Sequence, residues 1–338
     1  MRAVLVTGFG VQPTVELVAG LRVRPDAVVV RVEATGLCAS DRFGWLGHDA
    51  GVQLPHVPGH ELVGRIVETG SRVHRFQVGD RVTTPFVCGC GTCDECRSGN
   101  SQVCPHQEQP GFTHPGSFAE YVQLRYADHN LVAVPDDVDA GGAALLGCRV
   151  ATAHRALTGR GGVRPGDRVL VLGAGGVGLS AVLIASALGA ETVVADPSPE
   201  ARARAAELGA LSTVDPMAGP DAVREAVGDG GARLAIEAAG RPESLDLGLR
   251  ALRRRGTLVQ VGLLSAPPAV PVPDMIAREL TLTGSHGMAA ADYPPLMELV
   301  GTGLLDPGRL VTRRITLDEA PAALAAGPAP GEVTVIEP

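Results

Sequence analysis

The stretch VLVLGAGGVGLSAVLIASALGAETVVAD, residues 169–196, decides how the larger part of this chain folds. An apolar run, Val169 to Leu172, meets a glycine-rich turn. An apolar helix-compatible segment follows, and then a β-branched run that ends on Asp196. That order reads as strand, tight turn, helix, strand, the opening of a parallel sheet. Gly173, Gly175 and Gly178 form G-x-G-x-x-G at the strand-to-helix turn. The first glycine permits the turn, and the second lets backbone approach a pyrophosphate. The third brings helix and strand close, while the helix N-terminus favours the anion. Among 44 glycines the spacing alone is weak, but in this context it is specific. Gly173, Gly175, Gly176, Val177 and Gly178 are therefore candidate cofactor contacts. The Asp196 carboxylate can accept hydrogen bonds from the adenosine ribose hydroxyls and would repel a 2′-phosphate, which favours NAD over NADP. Asp196 also has a plainer reading, as the N-cap of a helix over PSPEARARAA.

Further strands are expected at STVD (212–215), RLAIEAAG (233–240), GTLVQVGL (256–263) and ELTLTG (279–284), with helical segments between, such as ESLDLGLRALRRR (243–255). Strands alternating with helices imply a doubly wound parallel sheet covered on both faces. After about residue 288 the alternation stops, and the last segment needs another place to pack. Upstream, residues 1–135 have the texture of a β domain. Short β-branched runs such as AVVVRVEATG (27–36) and ELVGRIVETG (61–70) are bounded by turn residues.

A chain of 338 residues with 45% hydrophobic content can build about two cores. The start, MRAVLVTGFG, has none of the marks of a signal peptide, and no apolar run approaches the roughly 20 residues of a membrane span. A cytoplasmic protein is expected, without a membrane partner. The formal charge is −8 and no basic block occurs, which argues against nucleic acid. All 29 basic residues are arginine. Mechanisms that need a Schiff-base or P-loop lysine are thereby excluded.

Five of the seven cysteines lie in CGCGTCDECRSGNSQVC, residues 88–104. In a chain with this much core and no secretory leader, clustered thiols hold a metal more often than they form disulfides. Cys90, Cys93, Cys96 and Cys104 run C-x2-C-x2-C-x7-C, a closed set of soft ligands that suits a structural zinc. An iron–sulfur cluster has the same ligand count. Cys88 stands outside the spacing as a spare thiol. Cys38, His60 with Glu61, and Cys148 lie far apart in sequence. Singly, they read as buried thiols and an interior histidine. Together, two cysteines and a histidine with an open fourth position make a catalytic zinc set.

GLCASD (36–41), PGHELVG (58–64), the cysteine loop, and Cys148 shortly before GAGGVG occur in the order that resembles the zinc-dependent medium-chain alcohol dehydrogenases. The resemblance covers nearly the whole chain. It implies a GroES-like β catalytic domain over 1–148 that carries the structural zinc loop 88–104. It also implies a Rossmann NAD-binding domain over 149–287 and a return segment, 288–338, that completes the catalytic domain. Cys38, His60 and Cys148 would hold catalytic zinc, with Glu61 beside the metal and Asp41 orienting His60. Ser40 would hydrogen-bond the substrate oxygen. Thr152 and Val261 would join the cofactor contacts, Val261 within the strand end VQVGL (259–263) that docks the nicotinamide. The implied activity passes a hydride between an alcohol, aldehyde or ketone and NAD(H), in a homodimer or homotetramer.

Two positions depart from the family pattern. Phe43 stands where many members have a proton-relay histidine, and Ala201 stands where many have a basic residue near the adenosine. Phe43 and Trp45 read either as pocket lining or as core. Two rival readings share part of the pattern: a zinc-free reductase of quinones or enones, and a non-catalytic NAD-binding redox sensor.

Overall fold

The structure, a computed structural model, describes residues 1–264 and 266–338. It contains two compact units, one of residues 1–151, 287–329 and 333–338, the other of residues 152–286 and 330–332. Among the described residues no helix is long and apolar enough to cross a membrane.

The first unit opens with an antiparallel ribbon, β1 (Arg2–Leu5) and β2 (Thr14–Leu17). Its main sheet is built on two long strands, β3 (Val28–Gly36) and β4 (Glu61–Thr69), paired antiparallel from Val28↔Thr69 to Gly36↔Glu61. β5 (Arg81–Thr83) extends the sheet beyond β4, β6 (Tyr121–Leu124) pairs with β3, and β7 (Val132–Ala133) lies outside β5. Val28, Val30 and Val32 alternate inward onto Leu62 and Ile66, the period of a strand with one wet face. Each such side chain contributes about 1.5–3 kcal/mol on burial.

The second unit is one sheet of parallel strands: β8 (Arg168–Leu172), β9 (Glu191–Ala195), β10 (Ser212–Val214), β11 (Ala232–Glu237), β12 (Leu252–Gln260) and β13 (Thr281–Gly284). Their order is β10-β9-β8-β11-β12-β13. The chain leaves β8 toward one edge and resumes at β11 toward the other, so a crevice opens between the carboxyl ends of β8 and β11.

One expectation fails here. The helix expected over 243–255 spans only Pro242–Ala251, and Arg253, Arg254 and Arg255 belong to β12. The pairing of β11 with β12 jumps from Ala232↔Leu252 to Leu234↔Thr257. The three arginines therefore sit exposed on a bulge, at no cost in buried charge.

The final segment supplies β14 (Arg313–Thr316) and β15 (Thr334–Glu337) to the first unit. β15 pairs with β3 at Val335↔Gly36 and Ile336↔Thr35. Trp45 belongs to the core beside this edge. It is buried with Leu37, Phe118 and Leu324, and its Nε1 donates to the Val11 carbonyl at 2.7 Å. Phe43, by contrast, is 41% exposed, with its ring centroid 5.0 Å from that of His48.

Candidate functional site

The register of β3 on β4 brings the first two site segments together. Gly36 pairs with Glu61, so Cys38, just past β3, meets His60, just before β4. Cys148 arrives on the turn after Gly147. A Cβ at Gly147 would lie 2.9 Å from the Thr84 carbonyl oxygen and 3.4 Å from that of His60, so glycine lets this segment press onto the start of β4. Ligand atoms of Cys38, His60, Glu61 and Cys148 all fall within 4.8 Å of one another.

Asp41 organises this cluster from the helix Ala39–Trp45. Its carboxylate accepts from the Cys38 N–H at 2.8 Å, the Gly59 N–H at 3.1 Å and His60 Nδ1 at 2.9 Å. A carboxylate only accepts, so Nδ1 carries the proton and the Nε2 lone pair is left for a metal. Burial alone would lower the His60 pKa, but the Asp41 charge and hydrogen bond override it and hold the value well above the usual one. The Cys148 thiol beside Cys38 holds the Cys38 thiol well below its usual range against the cost of burial, with further help from His60. The same contact, with burial, holds the Cys148 thiol well above its usual range, so without a metal one proton is shared between the two sulfurs. The Ser40 hydroxyl lies 3.0 Å from Cys38 Sγ and 3.5 Å from His60 Nε2. The rings of Phe112 and Phe86 stand with centroids 5.1 Å and 6.1 Å from that of His60.

Glu61 is engaged elsewhere. Arg149, buried like Glu61, donates Nε to both carboxylate oxygens at 3.0 and 2.9 Å, and its Nη2 lies 2.7 Å from Oε2. Arg149 Nη2 also donates to the Leu37 carbonyl at 2.9 Å. Burial raises the Glu61 pKa and the Arg149 charge opposes the rise. Sequence reading missed Arg149, although a charge inside the apolar run AALLGCRVATA signals a buried partner. It also missed Phe86 and Phe112, which carry no local signature.

Cys90, Cys93, Cys96 and Cys104 form a second group whose sulfurs lie within 4.8 Å of one another. Cys93 Sγ and Cys104 Sγ are 3.6 Å apart, far beyond a disulfide bond. Four sulfurs at ~2.3 Å from a zinc ion would stand about 3.8 Å apart in a regular tetrahedron. The N–H groups of Cys90 and His106 point at Cys104 Sγ from 3.4 and 3.3 Å, an arrangement that suits a thiolate. The Thr92 hydroxyl brings the Cys90 thiol down to about 5, while burial pushes Cys104 up to about 12. Cys88 lies outside this group, buried against Thr84 and Pro85, and burial pushes its thiol up to about 12.

In the second unit the glycine turn has the shape of a cradle. Gly173 has φ +92°, and a Cβ on Gly178 would collide with the Gly173 carbonyl. A Cβ on Gly175 meets nothing within 4 Å, so the room it leaves is for something other than protein. Gly176 and Val177 open the helix Gly176–Ala187. Gly173, Gly175, Asp196, Met217 and Arg241 line a cavity of about 1050 Å³. Ser198, not Asp196, caps the next helix, accepting from the Ala201 N–H. Asp196 instead accepts from the Ala174 N–H at 2.7 Å and the Ser198 N–H at 2.8 Å, which ties the glycine turn to the end of β9. Arg202 Nη1 is pinned to the carbonyls of Asp196 and Pro197 at 2.6 and 3.0 Å. Thr152 is buried, and its Oγ1 has no hydrogen-bond partner among the described residues. Val261 lies just past β12, its N–H on the Glu237 carbonyl.

Residues 24–136 match the alcohol dehydrogenase GroES-like domain and residues 176–302 the zinc-binding dehydrogenase family. An alcohol dehydrogenase of Rhizobium meliloti (strain 1021) is 35% identical over 90% of this chain and 89% of that protein. The structure of the alcohol dehydrogenase TADH from Thermus sp. ATN1 superposes with a TM-score of 0.91 at 31% identity, covering 100% of this chain and 99% of that one. A zinc-binding dehydrogenase from Sinorhizobium meliloti 1021, bound to NADP, gives a TM-score of 0.90 at 31% identity, again covering 100% and 99%. Likeness on this scale runs through both units. The chain belongs to the zinc-dependent medium-chain alcohol dehydrogenase family and is a zinc-binding oxidoreductase of the dehydrogenase type.

Proposed function

We propose that this protein is an NAD-dependent alcohol dehydrogenase, oxidising an alcohol to its aldehyde or ketone and running in reverse when the carbonyl is supplied. The convergence of Cys38, His60 and Cys148 with the Ser40 hydroxyl beside them carries this reading. Zinc held by Cys38, His60 and Cys148 would supply a Lewis acid that makes an alcohol hydroxyl far more acidic. Ser40 Oγ is placed to take the hydroxyl proton and pass its own outward, and a nicotinamide cofactor would supply the hydride acceptor. Asp41 keeps His60 in the tautomer that leaves Nε2 free. Arg149 neutralises Glu61, so the carboxylate supports the site without being a ligand. Cys90, Cys93, Cys96 and Cys104 would hold a second, structural zinc. Phe86 and Phe112 give the reacting centre apolar walls, which favours alcohols with an apolar body over polyols.

Gly173 to Gly178 would receive the pyrophosphate and Asp196 the adenosine ribose, and Thr152 and Val261 would contact the nicotinamide part. NAD is the proposed cofactor because the Asp196 carboxylate meets a 2′-phosphate with like charge, and Arg202 is held on backbone carbonyls. A homodimer or homotetramer is also proposed. It is supported by the open sheet edge at β13 and by the exposed Val272 and Ile276 just before it.

Steady-state kinetics on a panel of apolar, aromatic and polyol alcohols tests the assignment. Catalytic efficiency with NAD is expected to exceed that with NADP about 100-fold, near 2.7 kcal/mol of discrimination. A clear preference for NADP overturns the role given to Asp196. Ser40→Ala is expected to slow alcohol oxidation roughly 10²-fold, the scale for losing a positioned proton-transfer group, while Ser40→Thr keeps the rate. Equal rates in wild type and Ser40→Ala would remove Ser40 from the proton path.

A further inference from the structure

Glu237 is a fully buried carboxylate that the proposed reaction does not use. It ends β11 at the crevice side of the parallel sheet. Its Oε1 accepts from the N–H groups of Ala239 and Gly240, both at 2.9 Å, and from the Ser244 hydroxyl at 2.6 Å. Its Oε2 accepts from the Gly240 N–H at 3.2 Å and from the Gln260 side-chain amide. Gln260 Nε2 also donates to the Gly262 carbonyl at 2.7 Å. The backbone carbonyl of Glu237 takes the N–H groups of Val261 and Gly262, both at 2.9 Å. One residue thus gathers the loop after β11, the first turn of the helix Pro242–Ala251 and the end of β12.

Burying a carboxylate is costly unless donors surround it, and a hydrocarbon side chain would fill the volume without that cost. What the charge adds here is direction. The Gln260 amide cannot flip, because its oxygen would then face both a carboxylate and a carbonyl. Its Oε1 stays buried without a hydrogen-bond partner among the described residues. The gathered loop lies against the glycine turn: a Cβ on Gly173 would sit 2.9 Å from the Ala239 nitrogen, and Ala238, Ala239 and Arg241 line the same cavity as Gly173 and Asp196. Gly262 is held as closely, since a Cβ there would lie 2.8 Å from Glu237 Oε2.

We propose that Glu237 is a cofactor-positioning residue. Through Ala239 and Gly240 it fixes the floor under the pyrophosphate, and through Gln260 it fixes the strand end at Val261 and Gly262 that receives the nicotinamide. The two ends of the dinucleotide are thereby held at one spacing. The inference rests on the reading that this cavity takes NAD.

Calorimetric titration of the full-length, metal-loaded protein with NAD⁺ and with ADP-ribose, which lacks the nicotinamide ring, tests it without turnover. Gln260→Leu removes the side-chain link to the strand end and leaves the N–H groups of Val261 and Gly262 on the Glu237 backbone carbonyl. It is expected to weaken NAD⁺ about 10-fold, the scale of one hydrogen bond to a charged group, and to leave ADP-ribose within about twofold. Glu237→Gln sets an amide N–H2 against one of the donors and is expected to weaken both ligands, NAD⁺ more. Should Glu237→Gln fail to fold, Gln260→Leu carries the test alone. A merely structural role lowers Tm but produces no split between the two ligands. Wild-type affinity for both, or an equal loss of both, in Gln260→Leu overturns the inference while the NAD reading stands. A wild-type protein that binds neither ligand overturns both.

Discussion

Replacing His60 by alanine is expected to remove alcohol oxidation almost entirely while leaving the chain folded. The Lewis acid proposed there is worth several kcal/mol of barrier, and each 1.36 kcal/mol is tenfold, so kcat/KM should fall by roughly 10³-fold or more. Cys38→Ala should do the same. His60 is buried, yet it opens β4 beside a strand pair held independently by Val28↔Thr69 through Gly36↔Glu61. Tm should therefore move by only a few degrees. Elemental analysis should find two zinc ions per wild-type chain and one in either variant. One zinc, or iron, in the wild-type protein would sink the two-site assignment.

The second large effect lies in the cysteine loop and has the opposite signature. Cys104 is fully buried and receives two backbone N–H groups, so Cys104→Ser removes a ligand and leaves those donors badly matched. A loss of about 4 kcal/mol is expected, or roughly 10 °C in Tm for a unit of this size, because metal binding energy is folding energy in such a loop. The same residual zinc count should accompany a stable but inactive protein in one case, and an unstable one with a working reaction centre in the other. Thermal unfolding and single-temperature kinetics on both variants separate them. Equal Tm values for wild type and Cys104→Ser would contradict a structural role for this loop.

How far the fold was legible depended on whether its signal was local. The parallel sheet announces itself through continuous apolar strands and the glycine turn, because both faces of each strand are covered. Asp196 could be placed because a strand end fixes it, but the capping position went to Ser198, a residue equally suited to it. Arg253 to Arg255 look helical by propensity, yet they form a bulge between the paired positions Leu252 and Thr257, which only the register of β12 on β11 reveals. The residues of the two clusters stood out in the sequence because cysteine and histidine are chemically conspicuous. Their neighbours did not. The pairing of Arg149 with Glu61 joins residues distant in sequence, and Phe86 and Phe112 acquire meaning only once β3 and β4 bring His60 between them. Trp45 read either as pocket lining or as core, and the structure packs it among Leu37, Phe118 and Leu324.

The placement of β15 governs the order in which the protein can be born. Residues 334–337 pair with Gly36 and Thr35, and the Leu37 N–H donates to the Thr334 carbonyl, one residue before Cys38. On a ribosome moving from the N-terminus, nearly all of the second unit, residues 152–286, emerges before that strand exists. The parallel sheet can therefore mature while β3 still lacks its edge partner. Contacts between positions so distant in the chain form slowly, since the loop-closure entropy must be met before they reward the chain. Until residues 334–337 emerge, the end of β3 beside Cys38 presents an unpaired strand edge.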